Sequence, residues 1–365
     1  MDFSFTDEQN ATGELATQIL TDRFTHDHLR EIERSDGLRY DDGTWSELAK
    51  AGLLGIALPE SVGGAGLGVV ALGRFLQAVG RTGAAVPVWE VIGLGALPIA
   101  GLGSEALQQR WLPSVVDGTI KLTAAWHGSN RDLDTITTVA TAEGDDFTVS
   151  GTVTCVPAAQ LADAVVLPAL NGAEPGLYVV ELGEGTVVTP LGVTGGSPDA
   201  SIAFDGARAE LIASGSHAVA WAYERAVATQ NAVQLGNAEA MVDLLAAYTK
   251  ERKQFDVPIA TFQAVGHRAA DCYIDCEGMR LTAWQALSRL DDNLPSTIEV
   301  SVAKHWAATG SHRISIAAAH LHGGVGVDRD YPLARHYTRA KELELQLGSS
   351  SEHLLRVGRE IAATA

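Results

Sequence analysis

The sequence predicts a mainly α protein with a central β domain, and three observations carry that expectation. Both ends of the chain hold long alanine-rich stretches in which apolar residues recur at spacings of three and four, the signature of helices packed on helices. Between about residues 119 and 206 that periodicity gives way to short runs in which apolar and hydroxylic residues alternate, as in half-buried strands. Turn residues punctuate those runs, which suits a small antiparallel β domain. The expected division is therefore an N-terminal helical domain over 1–118, a middle β domain over 119–206 and a C-terminal antiparallel helical bundle over 207–365.

Taken in order, Thr6 ahead of Asp7-Glu8 reads as a capped helix start with acidic residues in its first turn. The run Pro59 to Gly68 is a loop by its glycine content, and it matches neither phosphate-binding glycine pattern. Val86 to Gly103 is the most apolar stretch. Its Glu90, two prolines and four glycines favour a buried helix and turn over a membrane span. Phe147 to Cys155 alternates as a strand after the turn Glu143-Gly144-Asp145-Asp146. Further strands are expected at Ala164–Leu167, Leu177–Leu182, Thr186–Thr189 and Ala200–Phe204. From about 214 the chain turns helical again, and Val233, Gly236, Ala240, Leu244 and Ala247 trace one helix face. A second helix follows Pro258 and breaks at Asp291-Asp292-Asn293-Leu294-Pro295. A third runs from about Ser296 to Leu321, and two shorter ones follow HGGVGVDRDYP. Four or five helices with short connections make an antiparallel bundle.

Composition narrows the function classes. With 365 residues, 46% apolar and 19% charged, the chain is an ordinary globular protein. A formal charge of −19 opposes nucleic-acid binding, and no basic stripe with interleaved aromatics offsets it. The start, MDFSFTDEQN, lacks the basic and apolar regions of a signal peptide, so a cytoplasmic protein without a membrane anchor is expected. Cys155, Cys272 and Cys276 form neither a metal-spaced set nor a disulfide framework and read as reduced thiols. His26 and His28 do not share a helix face, and His312, His320 and His322 lack zinc-like spacing, so no metal is expected. Ser129 has His127 nearby but no third orienting group, which argues against a hydrolase.

Two segments carry a family resemblance. The run YTKERKQFDVPIATFQ, Tyr248 to Gln263, resembles the acyl-CoA dehydrogenase signature, in which tyrosine, arginine, phenylalanine, proline and glutamine recur at the spacings of Tyr248, Arg252, Phe255, Pro258 and Gln263. The run HLHGGVGVDRDYPLAR, His320 to Arg335, resembles that family's glycine motif followed by its tyrosine-proline-arginine segment. The resemblance implies a flavin (FAD) shared between two subunits. By motif match Arg252, Gln254 and Phe255 meet the diphosphate and adenosine part of the cofactor. His320 replaces the family's usual glutamine, and Gly323 and Gly324 let the backbone approach closely. For Arg252 the plainer reading is a surface ion pair with Glu251 or another neighbour. For the double glycine it is a helix stop.

Against the same family, the catalytic parts depart. The family's LTEPxxGSD is LTAAWHGSN here, Leu122 to Asn130. Thr123, Gly128 and Ser129 are retained, while the acidic residue, the proline and the final aspartate are not. Its GxKxWIT is GTVTCVP, Gly151 to Pro157, with Cys155 in place of an aromatic and Pro157 in place of a hydroxyl donor. Leu347 stands where the family places its glutamate base, and leucine cannot accept a proton. Some members carry the base on the first bundle helix instead. Counting back from Gly236 puts Ala226 there, with Glu224 two residues off and, beside Arg225, more readily a solvated pair.

These departures resemble the smaller, non-catalytic subunit of the heteromeric (α2β2) acyl-CoA dehydrogenases of bacterial steroid and cholesterol degradation. That resemblance implies a subunit that completes the FAD site of a homologous catalytic partner in forming a 2,3-enoyl-CoA from a bulky acyl-CoA. Electron-transfer flavoprotein would be the acceptor. Two alternatives stay open at this point: a catalytically complete homotetramer with Glu224 or another displaced carboxylate as base, and a flavin-free scaffold subunit.

Overall fold

The computed structural model describes residues 4–126, 135–144 and 146–364. It divides into two compact units. One holds residues 1–34, 73–85 and 227–365, the other residues 35–72 and 86–226. The architecture is an acyl-CoA dehydrogenase-like one, helical at both ends with a β domain between.

The first unit begins with α1 (Asp7–Arg23), whose cap is the expected Thr6. The Thr6 hydroxyl accepts from the Gln9 amide at 3.2 Å, and the Gln9 side chain accepts from the Thr6 amide at 3.0 Å. That is a reciprocal capping box. Next come α2 (His26–Arg34) and the second half of α4 (Gly68–Thr82). The rest is the bundle: α7 (Ser216–Glu251) from residue 227 on, α8 (Gln263–Asp291), α9 (Thr297–His322), α10 (Leu333–Leu345) and α11 (Ser350–Thr364).

Backbone crossings hold this bundle tightly. A Cβ on Gly236 of α7 would lie 1.9 Å from the Gln77 carbonyl oxygen of α4. A Cβ on Gly80 of α4 would lie 1.9 Å from the Val233 carbonyl oxygen of α7. The two helices therefore touch main chain to main chain, which only glycine at both positions allows. One turn further, the buried Glu239 carboxylate accepts from Gln77 Nε2 at 2.8 and 2.9 Å. It also pairs with Arg280 of α8 at 2.6 Å and Arg81 at 3.4 Å.

The second unit contains α3 (Asp42–Lys50), the first turn of α4, a π-helix over Trp89–Ala96, α5 (Leu97–Leu102) and α6 (Glu105–Val116). The apolar stretch expected to be a helix and turn is thus a fully buried π-helix running straight into α5. The strands are β1 (Leu122–Ala124), β2 (Val139–Glu143), β3 (Asp146–Val156), β4 (Ala164–Asn171), β5 (Glu174–Glu181), β6 (Thr186–Pro190) and β7 (Ala200–Ser214). All five expected strands are present. Two short ones, β1 and β2, lack enough alternation to be read from sequence.

The sheet departs from a purely antiparallel one, because β4 pairs in parallel with β1 and β2. The pairing path β4-β2-β3-β7-β5 returns from β5 to β4. Closure of this kind removes sheet edges. Val149, Val153, Val165, Leu167, Tyr178, Val180, Ile202 and Phe204 fill its core.

No helix among the described residues is long and apolar enough to cross a membrane. Among those residues no group of three or more His, Cys, Asp or Glu side chains could hold a metal ion.

Candidate functional site

The two motifs meet at one end of the bundle. Tyr248, in the last turn of α7, stacks on the buried His322 at the end of α9, with ring centroids 4.4 Å apart, and Tyr331 leans on the same imidazole at 5.2 Å. His322 Nδ1 is 2.8 Å from the Ala318 carbonyl, and burial holds its pKa below the ordinary histidine value. It serves there as a flat spacer between two tyrosines. Arg335 binds Glu33 of α2 at 2.9 Å and lies 3.1 Å from His26 Nδ1, so His26 is tied to the tyrosine-proline-arginine segment. Asp330 pairs with Arg30 and Arg34 at 3.3 and 2.6 Å. Sequence reasoning passed over His322 in favour of His320, because only the fold shows which of the two faces the tyrosines.

Arg252 follows directly on α7 and opens a two-residue hairpin, β8 (Lys253–Gln254) paired with β9 (Val257–Pro258). The main chain closes it, with the Ile259 amide donating to the Arg252 carbonyl at 2.8 Å. At its tip Phe255 and Asp256 have φ of 53° and 63°. Left-handed conformation at both central residues is the primed turn that matches strand twist, normally made with glycine or asparagine. For a phenylalanine this conformation costs roughly 1–2 kcal/mol. Phe255 is nevertheless 87% exposed, so the hairpin displays the ring to the outside. Arg252 and Gln254 are exposed beside it. Among the described residues Arg252 forms no ion pair, with Glu251 or any other carboxylate, and its guanidinium keeps all its donors for something else.

At the neighbouring corner α9 stops at Gly323, which has a φ of 61° and caps the helix. That explains Gly323 as a helix stop. Gly324 is different: its φ is not positive, and a Cβ there would meet nothing within 4 Å. No neighbour in this chain requires it to be glycine. His320, one turn back, is exposed. Arg252, Gln254, Phe255, His320, Gly323 and Gly324 are all exposed, and in sequence they flank the two members of the Tyr248–His322 stack.

The base position is closed. Leu347 is 3% exposed with a φ of 56°, and its carbonyl accepts from His353 Nε2 at 2.8 Å. Both nearby carboxylates are engaged, Glu344 with Lys341 at 2.6 Å and Glu342 with Arg339 at 2.6 Å. In the other unit Ala226 is fully buried, and its carbonyl accepts from Trp89 Nε1 at 3.2 Å. Arg225 is not the solvated partner expected for Glu224. It is 8% exposed, with its guanidinium 3.5 Å above the Trp221 ring, and Glu224 is half-buried.

The motif that resembles the flavin-ring segment is altered in its backbone as well. Thr123 is fully buried and donates its hydroxyl to the Pro157 carbonyl at 2.6 Å. Cys155 has a φ of 52° at a register shift between β3 and β7. The retained threonine therefore has no free donor, and the strand around Cys155 does not run as a regular one. Gly128 and Ser129, with His127 and Asn130, lie outside the described residues. Burial pushes the Cys272 and Cys276 thiols up to about 11 and about 12, so both are protonated core thiols.

Comparison with known proteins identifies the family. The chain matches the acyl-CoA dehydrogenase N-terminal domain over residues 6–119 and the C-terminal domain over residues 207–362. It is 37% identical over 375 aligned residues, the whole of both chains, to acyl-CoA dehydrogenase FadE27 of Mycobacterium tuberculosis. It superimposes on a chain of the ChsE4–ChsE5 complex from Mycobacterium tuberculosis with a TM-score of 0.94, at 37% identity over 99% of each chain. On a variant of the Tcur3481–Tcur3483 steroid ACAD the TM-score is 0.93, at 39% identity over 98% of each chain. The chain belongs to the acyl-CoA dehydrogenase family.

Proposed function

We propose that this chain is the non-catalytic subunit of a heteromeric, FAD-dependent acyl-CoA dehydrogenase, and that it completes the cofactor site of a homologous catalytic partner in an α2β2 assembly. The observation that carries the reading is that among the described residues Arg252 has no counter-ion, while Phe255 is 87% exposed and a Cβ on Gly324 would meet nothing within 4 Å. Those residues fit the adenosine-diphosphate half of FAD. Arg252 offers planar donors to diphosphate oxygens. Phe255 offers a flat apolar face to the adenosine. His320 supplies a ring nitrogen for hydrogen bonding, Gln254 an amide, and Gly323-Gly324 a stretch of bare backbone. At the ring motif Thr123 does not fit the other half, since its hydroxyl is bonded to the Pro157 carbonyl.

Held by Arg252, Gln254, Phe255, His320, Gly323 and Gly324 at its adenosine-diphosphate half, FAD would supply hydride acceptance for the oxidation of an acyl-CoA whose α proton needs a carboxylate base. Leu347 cannot be that base, so in this reading the base belongs to the partner. The product is a 2,3-enoyl-CoA, the acyl group is bulky and steroid-derived, and electrons pass on to electron-transfer flavoprotein. The similarity to ChsE4–ChsE5 and to the Tcur3481–Tcur3483 steroid ACAD supports both the heteromer and the substrate class. Residues 1–118, 119–206 and 207–365 form the three domains, and the site is cytoplasmic.

The test is co-expression with and without the homologous partner. The chain alone should be colourless and inactive, and the complex yellow and active. Arg252→Ala in the complex should remove most of the flavin, while Arg252→Lys should keep part of it. A yellow, active assembly of this chain alone would overturn the reading. Unchanged flavin content in Arg252→Ala would point instead to a scaffold that binds no cofactor.

A further inference from the structure

Lys304, on α9, is completely buried. Its amine donates to Gln230 Oε1 of α7 at 2.6 Å and to the Leu343 carbonyl of α10 at 2.6 Å. Among the described residues no carboxylate pairs with it. An ammonium has three N–H donors and a full charge to satisfy, and a buried one without a counter-ion is costly. A neutral amine has two donors, and here there are two neutral acceptors.

The surroundings add little charge. On α10 the Glu344 carboxylate acts on Lys304 from a distance, but it already pairs with Lys341 and with His312 at 2.6 and 3.3 Å. On α11 His353 is held uncharged by burial, its pKa brought down to about 4, and Arg356 adds a positive charge nearby. Among the described residues no charged group on α7 or α8 acts on the amine. Burial brings the Lys304 pKa down to about 7.

The amine also sits at a mechanical junction. Leu343 is in the last turn of α10, Gln230 reaches on to Gln346 at 3.4 Å, and His353 holds the Leu347 carbonyl. The turn from Leu343 to Leu347 is thus fastened to α7, α9 and α11, and Lys304 joins two of those three fastenings.

We propose that Lys304 is a proton-operated latch: uncharged, it bridges α7 to the end of α10, and protonated, it lets that end loosen. The chain holds six lysines, so the full-length protein labelled with 13C at lysine Cε gives few signals, and their titration reads the latch directly. The expected result is one signal with a midpoint within a unit of 7. That one signal should be absent from Lys304→Met. In Gln230→Glu, where a carboxylate replaces a neutral acceptor, its midpoint should rise by more than a unit. Amide exchange over residues 343–349, corrected for intrinsic rates, should be slower at pH 8.5 than at pH 6. If Lys304→Met fails to fold, the native titration and Gln230→Glu still decide. A spectrum in which no lysine signal titrates within a unit of 7 would overturn the proposal, as would equal protection of residues 343–349 at the two pH values.

Discussion

Gly236→Ala is the substitution for which helix propensity and helix packing predict opposite signs. In an exposed helix interior alanine is more stable than glycine by roughly 1 kcal/mol. Gly236 is not in such a place. The added Cβ would lie 1.9 Å from the Gln77 carbonyl oxygen and 2.8 Å from the Arg81 amide nitrogen. To reach ordinary contact the α4 backbone must withdraw by about 1.5 Å, and interiors close-packed like crystals do not yield that distance freely. Backbone cannot escape by changing rotamer, as an overpacked side chain can. Withdrawal also stretches the bonds from Gln77 and Arg81 to Glu239, at 2.8 and 3.4 Å. Overpacking costs about 1–3 kcal/mol where side chains give way. With main chain on both sides and an ion-pair network displaced, a net loss of about 3–4 kcal/mol is expected. Urea unfolding of the full chain, followed by circular dichroism, reads it as a lower midpoint at unchanged slope. Gly80→Ala should cost a similar amount. The double variant should cost much less than the sum, because one separation relieves both clashes. A Gly236→Ala protein as stable as the parent, or additive losses in the double variant, would refute the crossing.

Two further outcomes follow from buried polar groups. Glu239→Gln removes the buried charge facing Arg280 at 2.6 Å and Arg81 at 3.4 Å and leaves those cations to Glu277 and Asp243; losing the charge-assisted bonds should cost about 1.5–3 kcal/mol, and a loss under 1 kcal/mol in thermal unfolding would count against the network. His353 has its folded-state pKa brought from 6.5 down to about 4, so the unfolded chain takes up a proton first as pH falls. Its contribution is fully present above pH 6.5 and is lost between 6.5 and about 4, by about 3 kcal/mol. His353→Asn should lack that part of the acid destabilisation, and identical pH profiles of parent and variant would show that His353 does not titrate as its burial implies.

Much of the fold was legible because it rests on local chemistry. Thr6 could be read as a cap from its acidic successors, and the five longer strands from alternation over at least four residues. What escaped depends on distant partners. β1 spans three residues and exists only because Leu122, Thr123 and Ala124 find Ala164, Val165 and Val166 alongside. The spacing that put Gly236 on a helix face could not show that Gly80 lies opposite. The π-helix at Trp89 looked like any apolar run, since periodicity does not distinguish wide turns from ordinary ones. At the site the motifs marked Arg252, Phe255 and Gly324, but not that Arg252 lacks a counter-ion among the described residues or that His322 joins the two segments. The expected solvation of Arg225 failed for the same reason, because Trp221 covers it one turn away.

Phe255, Asp256 and Leu347 hold left-handed backbone in the bundle unit's functional segments, and burial compensates it at Leu347 but not at Phe255. Leu347 is buried to 3% exposure, and burying a leucine returns about 2 kcal/mol, which offsets the strain. Phe255 at 87% exposure returns almost nothing. Its two-residue turn would be more stable with asparagine, which tolerates left-handed φ through its short polar side chain. On the function proposed above, the strain at this displayed aromatic is compensated where its ring is covered on assembly. Phe255→Asn separates the two contributions. Expressed without a partner, the variant should be more stable than the parent by about 0.5–1 kcal/mol. Assembled with the partner, it should hold less flavin and dissociate from it faster. A variant that is less stable alone would show that Phe255 serves this chain's own packing. One with unchanged flavin retention in the complex would show that the ring does not meet the cofactor.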